Sequence, residues 1–232
     1  MIFVAEIGMN HNGNFDLAYE LIRQAKIAGA DIAKFQFGWR DKPGDINFID
    51  QKTAIKLKKW CDYFEIEMMA SIISEDAIDL AIAANLKRIK IASRTVIENP
   101  KLVENLINQG KEIFISLGMY DSKLWPFGEP SEQIRYIYCR SSYPCYPQEL
   151  VNMPIEFSEA RYYGYSDHLH GTEACLVAIA RGAKFIEKHF TLNRTSDVIR
   201  DHTLSATPEE LESLIKNGRA ISRLVNVIGS KK

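Results

Sequence analysis

The sequence predicts an α/β chain folded as one (β/α)8 TIM barrel, and three observations predict it. Eight short apolar runs alternate with helical patterns, and the runs start at intervals of 21 to 35 residues, the spacing of βα units joined by right-handed crossovers. The runs are rich in Ile, Val and Phe without strict alternation, as strands covered on both faces should be. The chain also echoes itself: residues 25–37 (AKIAGADIAKFQF) resemble residues 178–190 (AIARGAKFIEKHF). Both read as helix, Gly-Ala turn, strand, which favours repeated βα units. An open doubly wound sheet is the alternative, but no G-x-G-x-x-G follows the first run.

The expected strands are 2–8, 31–37, 66–72, 87–93, 112–117, 134–139, 162–166 and 184–190. Between the first two, Leu17, Leu21, Ala25 and Ala28 keep helical spacing and Gly29 ends the helix. Asn99-Pro100 reads as an N-cap followed by Pro at the first helical position, opening a helix over 101–108. Residues 120–133 contain Pro126, Gly128 and Pro130, so the helix there is short or absent. Thr207-Pro208-Glu209-Glu210 is a capping box that opens the last helix. The whole chain, 1–232, reads as one domain.

Composition narrows the function. The 29 basic and 30 acidic side chains give a net charge of −1, which argues against a nucleic-acid binder held by bulk electrostatics. No apolar run approaches the length of a membrane span. The N-terminus lacks a basic region and reaches Glu6 at once, unlike a signal peptide. Cys61, Cys139, Cys145 and Cys175 form no C-x-x-C pair. They read as reduced thiols in a cytoplasmic protein.

Polar residues gather at the carboxyl ends of the expected strands: Glu6, Lys34, Gln36, Ser71, Lys90, Ser93, Ser116, Ser141, Ser166, His168, Glu187 and His189. Strand period 2 puts Lys34 with Gln36, Ser166 with His168, and Glu187 with His189 on shared faces. The internal echo places Lys34 opposite Glu187 and Gln36 opposite His189. Charged groups inside a barrel are costly unless paired or coordinated. Their concentration at one end describes an active site at the top of the barrel. Lys34 and Lys90 with the serines form a small anion pocket. His168 and His189 end adjacent strands and suit either a first-row divalent metal or a polar core. Lys188 is out of phase with its neighbours and should face the helix layer.

The segments AEIGMNHNG (5–13), AKFQ (33–36), KIAS (90–93), ISLGM (115–119), CRSSYP (139–144), GYSDH (164–168), IEKHFT (186–191) and DH (201–202) resemble, in order, those of the sialic acid synthase (N-acetylneuraminate synthase) family. The resemblance covers nearly the whole chain. It implies a phosphoenolpyruvate-dependent, C–C bond-forming transferase of carbohydrate biosynthesis. Phosphoenolpyruvate would condense with an open-chain N-acyl amino sugar, N-acetylmannosamine or a relative, to give a nonulosonic (sialic-type) acid and phosphate. It further implies Glu6 and Glu187 as catalytic. Phosphoenolpyruvate would be bound by Lys34, Lys90, Ser93, Ser116, Ser141 and Ser166. The sugar would meet Gln36, Tyr143 and Asp201. His168 and His189 would hold a divalent metal, Mn2+ with Mg2+ or Co2+ as alternatives. The expected ligands are small molecules, not nucleic acid or membrane.

Four departures concern the sugar side. The family's C-terminal antifreeze-like domain, which lends an arginine to a neighbouring subunit, is expected to be missing after Gly229, so a homodimer or a separate subunit carrying that domain are the partners to consider. Thr95 replaces a glutamate and Arg94 precedes it where glycine is usual. Arg140 is unusual in its segment. The stretch between Gln36 and Ser71 is short. Two readings of the arginines stay open: one of them replaces the missing one from within the same subunit, or each is a solvated loop residue. Two other functions stay open: condensation with another aldose phosphate, and a partner-dependent or non-catalytic paralogue.

Overall fold

The computed structural model describes residues 1–40 and 42–229; Asp41 and the expected C-terminal end, Ser230 to Lys232, lie outside the described residues. The strands are β1 (Ile2–Gly8), β2 (Ile32–Phe37), β3 (Glu67–Ile72), β4 (Arg88–Ile91), β5 (Glu112–Ser116), β6 (Ile134–Cys139), β7 (Tyr162–Asp167) and β8 (Phe185–His189). All pair in parallel with their sequence neighbours, and β1 pairs with β8 to close the barrel. The helices are α1 (Phe15–Ile27), α2 (Gln51–Tyr63), α3 (Ala77–Ala83), α4 (Ser93–Glu98), α5 (Pro100–Ile107), α6 (Glu173–Ala180) and α7 (Pro208–Gly229).

Helices α1, α2, α5 and α7 begin where side-chain caps satisfy free backbone N–H groups. Asn14 Oδ1 accepts from the N–H groups of Asp16 and Leu17, and Asp50 Oδ1 from that of Thr53 at 2.7 Å. Asn99 Oδ1 accepts from Leu102 N–H, as its Asn-Pro pair predicts. Thr207 and Glu210 exchange both bonds of a capping box. Along α1 the buried stripe is Ala18, Leu21, Ile22 and Ala25, turned slightly from the expected one.

Two expectations change, at the fourth strand and in the β6–β7 link, and one is borne out between β5 and β6. The fourth strand stops at Ile91, and Ser93 begins α4 instead of ending a strand. No helix forms between β5 and β6. Pro126, Gly128 and Pro130 break it, and the segment is held by Trp125 stacked on Tyr136, ring centroids 4.6 Å apart, and by Tyr136 Oη donating to Gly128 O. The β6–β7 link has only a 3-10 turn, Pro147–Leu150, where a full crossover helix was expected.

Inside the barrel, Val4, Ile32, Met69, Phe114, Ile137 and Phe185 form a closed apolar plug, with Phe114 and Phe185 stacked at 4.6 Å. A separate, larger core fills the space between strands and helices. Below the plug, Arg88 pairs with Glu67 and Glu112 at 3.3 and 3.2 Å. Above it, at the carboxyl ends, the barrel lining turns polar. Among the described residues no helix is long and apolar enough to cross a membrane.

Candidate active site

The polar ends line a cavity of about 390 Å3 at the top of the barrel, within the size range of small-molecule sites. Glu6 on β1, Lys34 on β2, Ser71 on β3, Lys90 on β4, Ser116 on β5, Ser166 on β7, and Glu187 and His189 on β8 are all buried, each pointing inward from its strand. The apolar plug beneath supplies a dry floor. Gly8 lets the chain leave β1 without intruding: its φ is +54°, and a Cβ there would lie 3.0 Å from Glu6 Oε1 and 3.1 Å from Gln36 Nε2. Gly118 serves the opposite wall. A Cβ there would lie 2.5 Å from Cys139 Sγ, and its N–H donates to Ser93 Oγ at 2.8 Å.

The two lysines and two carboxyls form one buried cluster. Lys34 Nζ lies 2.6 Å from Glu6 Oε2 and 3.6 Å from Glu187 Oε2, and donates to Ser71 Oγ at 3.0 Å. Lys90 Nζ donates to Ser116 Oγ at 2.6 Å and lies 3.6 Å from Glu187 Oε1. Ser166 Oγ donates to Glu187 Oε1 at 2.7 Å, and Gln36 Nε2 to Glu6 Oε1 at 2.8 Å. Glu187 therefore faces two ammonium groups and Glu6 only one.

That difference separates the two carboxyls. Burial pushes Glu187 up, but Lys34 and Lys90 outweigh it and hold its pKa at about 2. Burial also pushes Glu6 up; Lys34 opposes this only in part, Glu187 adds to it, and the pKa settles at about 7. Glu187 is a fixed anion, and Glu6 can exchange a proton near neutral pH. Burial disfavours the Lys34 ammonium, yet Glu187 and Glu6 overcome it and raise its pKa. At Lys90 burial prevails, assisted by repulsion from Lys34, and its pKa falls.

His168 and His189 stand side by side, ring centroids 5.4 Å apart, with Tyr143 packed against His168 at 4.2 Å. Burial lowers the pKa of both, that of His189 to about 3, so both rings are neutral at ordinary pH. His168 Nδ1 donates to the Arg140 carbonyl at 2.7 Å, which leaves the Nε2 lone pair free. His189 Nδ1 is buried with no hydrogen-bond partner, 3.9 Å from Asp201 Oδ2. Two neutral imidazoles, one oriented by a carbonyl and one with an orphaned nitrogen, fit a divalent metal. Among the described residues no group of three or more His, Cys, Asp or Glu side chains closes such a site, so water and substrate would complete the coordination.

All thirteen residues expected from the sequence line this one cavity: Glu6, Lys34, Gln36, Lys90, Ser93, Ser116, Ser141, Tyr143, Ser166, His168, Glu187, His189 and Asp201. Arg94 lines it too, but the Arg140 side chain does not. It turns to Glu149, 3.9 Å away, and only its carbonyl serves the site. Thr95 is buried outside the cavity wall. The other histidines take no part. His11 is buried between Phe15 and Phe35, His170 bonds the Thr203 carbonyl, and His202 bridges Thr191 and Asn12. Lys188 faces the helix layer as expected, buried 2.8 Å from Asp167 Oδ2. Sequence reasoning missed Arg200 and Trp39 in the wall. Trp39 sits in a loop and Arg200 opens a short 3-10 turn, where strand periodicity carries no signal. Arg200 lies one residue before Asp201, so its position beside an expected site residue was the available clue.

Comparison with known proteins agrees with this architecture. The NeuB family model matches residues 46–231. The protein MJ1065 of Methanocaldococcus jannaschii is 32% identical, over 96% of this chain and 71% of its own length. The N,N'-diacetyllegionaminic acid synthase of Legionella pneumophila is 30% identical, over 93% of this chain and 70% of its own. Among solved structures, the N-acetylneuraminic acid (sialic acid) synthetase of Leptospira borgpetersenii superposes with a TM-score of 0.82 at 27% identity, covering 97% of this chain and 84% of that one.

Proposed function

Since the chain belongs to the NeuB family, whose relatives include sugar-acid synthases, we propose that it condenses phosphoenolpyruvate with the aldehyde of an open-chain N-acyl amino sugar and releases phosphate. The observation that carries the reading is the buried Lys34–Lys90 pair, with hydroxyls at hydrogen-bond distance from each, beside a carboxyl whose pKa is about 7. Two ammoniums and a ring of hydroxyls match a ligand bearing both carboxylate and phosphate.

In this reading Lys34, Lys90, Ser93, Ser116, Ser141 and Ser166 bind phosphoenolpyruvate. The C2=C3 π pair of phosphoenolpyruvate bonds C3 to the aldehyde carbon and the aldehyde oxygen becomes an alkoxide; water adds at C2, one of its protons ends on that alkoxide, and the other leaves with phosphate as the C2–O bond breaks and the C2 carbonyl forms. Negative charge grows on the departing phosphate, and fixed ammonium groups stabilise it without reorganisation. Glu187, ionised and bonded by Ser166, keeps both lysines charged and in place beside the reacting carbons. Glu6, whose carboxyl is held by Lys34 and Gln36, takes the proton released by the attacking water. Gln36, Tyr143 and Asp201 contact the sugar. A divalent metal held by His168 and His189, Mn2+ before Mg2+ or Co2+, would supply Lewis acidity at the aldehyde oxygen.

The test is phosphate release from phosphoenolpyruvate across a panel of amino sugars, with and without Mn2+. Release that requires both substrates supports the reading. No release with any sugar refutes it.

A further inference from the structure

One inward side chain at the strand ends has no task in the proposed reaction. Cys139 is the last residue of β6 and the register partner of Ser166 on β7. Two residues earlier Ile137 lies in the apolar plug, so strand alternation turns Cys139 to the same interior, one layer higher. The side chain is buried and lines the cavity with Ser93, Ser141 and Ser166. The flanking strands carry hydroxyls here, Ser116 on β5 and Ser166 on β7, where β6 carries a thiol. Cys139 Sγ lies 3.2 Å from Ser93 Oγ.

This contact bears on where the Ser93 hydroxyl points. Ser93 opens α4 after β4 has ended at Ile91, so no strand ladder holds it. A hydroxyl has one proton to donate and two lone pairs to fill. Gly118 N–H fills one lone pair at 2.8 Å. Cys139 stands at the second, and a thiol is both a weak donor and a weak acceptor. When no anion is in reach, the Ser93 proton rests on Sγ. An anion is a far better acceptor than sulfur, because charge-assisted hydrogen bonds are roughly twice as strong as neutral ones. The Ser93 proton then swings to the anion, and Cys139 turns its S–H to the free lone pair. With two donors on it, Ser93 Oγ stays in place and is committed to donating into the cavity. Gly118 makes the close approach possible: a Cβ there would lie 2.5 Å from Cys139 Sγ and 2.6 Å from Ser141 Oγ.

We propose that Cys139 is a positioning residue of the phosphoenolpyruvate site. It directs the Ser93 hydroxyl by exchanging roles, acceptor when the ligand is away and donor when it is bound. This rests on the condensation reading above, in which Ser93 binds phosphoenolpyruvate. Cys139 acts through Ser93 and not on the reacting carbons.

Titration calorimetry of the full chain with phosphoenolpyruvate alone measures the effect. Cys139→Ala should raise Kd by about 3- to 10-fold, the scale of one neutral hydrogen bond. Cys139→Ser keeps a donor and an acceptor and should recover most of that loss. Ser93→Ala should also raise Kd, and adding Cys139→Ala to it should change Kd by less than about twofold, because the thiol then has no hydroxyl to direct. Infrared difference spectra give a readout that packing alone would not move. Donating a hydrogen bond weakens the S–H bond, so the S–H stretch should shift to lower frequency when phosphoenolpyruvate binds, and Cys139→Ser should remove that shift. Should Cys139→Ala fail to fold, the shift in the unaltered protein still decides. Phosphoenolpyruvate binding with an unmoved S–H stretch, with an unchanged Kd in Cys139→Ala, or with independent losses in the double variant keeps the condensation reading and overturns this proposal. Failure of the unaltered protein to bind phosphoenolpyruvate overturns both.

Discussion

Replacing Lys90 by Met separates binding from folding in a way that replacing Lys34 cannot. Lys34 is the cation in contact with Glu6, at 2.6 Å, so its loss leaves a buried carboxyl without a counter-ion. Lys90 makes one hydrogen bond, to Ser116, and a 3.6 Å contact with Glu187. After Lys90→Met, Glu187 still has Lys34 at 3.6 Å and the Ser166 hydroxyl at 2.7 Å. Met also fills the channel that the lysine stem occupies. The fold should therefore survive, while phosphoenolpyruvate loses a charged donor worth about 1.5–3 kcal/mol, or roughly 10- to 150-fold in Kd. Titration calorimetry with phosphoenolpyruvate alone measures this. The pH dependence gives a second readout. Burial lowers the Lys90 pKa, so binding to the unaltered protein should weaken as pH rises, at lower pH than an ordinary lysine would require. Lys90→Met should lose that alkaline limb. An unchanged Kd, or an alkaline limb that persists in the variant, would refute the placement of Lys90 on the ligand.

Glu6→Gln should abolish phosphate release. It should also change the pH dependence of stability: a carboxyl whose folded pKa is raised to about 7 lowers stability progressively as pH climbs from its unfolded pKa of about 4.5 through 7. The unaltered protein should lose on the order of 3 kcal/mol relative to Glu6→Gln across that window; parallel denaturation curves would count against the assignment. Glu187 works in the opposite sense. With its folded pKa held at about 2, its stabilising contribution is complete above about pH 4.5 and disappears as pH falls towards 2, so Glu187→Gln should remove part of the acid limb of unfolding. A crystal soaked in MnCl2 should show anomalous density within about 2.0–2.3 Å of a nitrogen of both His168 and His189; density only at His11, His170 or His202 would contradict the site.

How much was legible depends on which physical rule each residue obeys. Strand periodicity is strict, so Lys34 with Gln36 and Glu187 with His189 could be put on shared faces from alternation, and the gathering of polar residues at the strand ends marked those faces as the inner ones. Helix starts were legible where a cap is encoded, as at Asn99 and Thr207. The β6–β7 crossover was not, because its turn is fixed by packing against the barrel and not by a repeat in its own residues. Arg140 shows the same limit at the site. Its position after β6 suggested a side chain over the cavity. Instead Glu149, itself bonded by Ser142, draws the side chain aside, and the carbonyl orients His168. Loop side chains choose among local partners that sequence spacing does not rank. For the same reason Arg200 escaped notice until the fold put it over Tyr143.

The S-D-H and E-K-H segments show how one alternation serves two purposes. Inward, Ser166 bonds Glu187 at 2.7 Å, and His168 stands beside His189. Outward, the intervening Asp167 and Lys188 form an ion pair at 2.8 Å, and the two residues are register partners across β7 and β8. Asp167 also accepts from Tyr165 Oη, Leu169 N–H and Cys175 Sγ, and Lys188 donates to the Leu169 carbonyl. Such a saturated, fully buried pair holds the two strand ends at one height, and the histidine separation follows from that. Breaking it should be costly because the survivor is a buried, uncompensated charge. Lys188→Met should lose about 3–5 kcal/mol of stability. Asp167→Asn combined with Lys188→Met should lose less than the sum of the two single changes. Denaturant unfolding of the four proteins measures the coupling, and additive losses would show that the pair does not act as a unit.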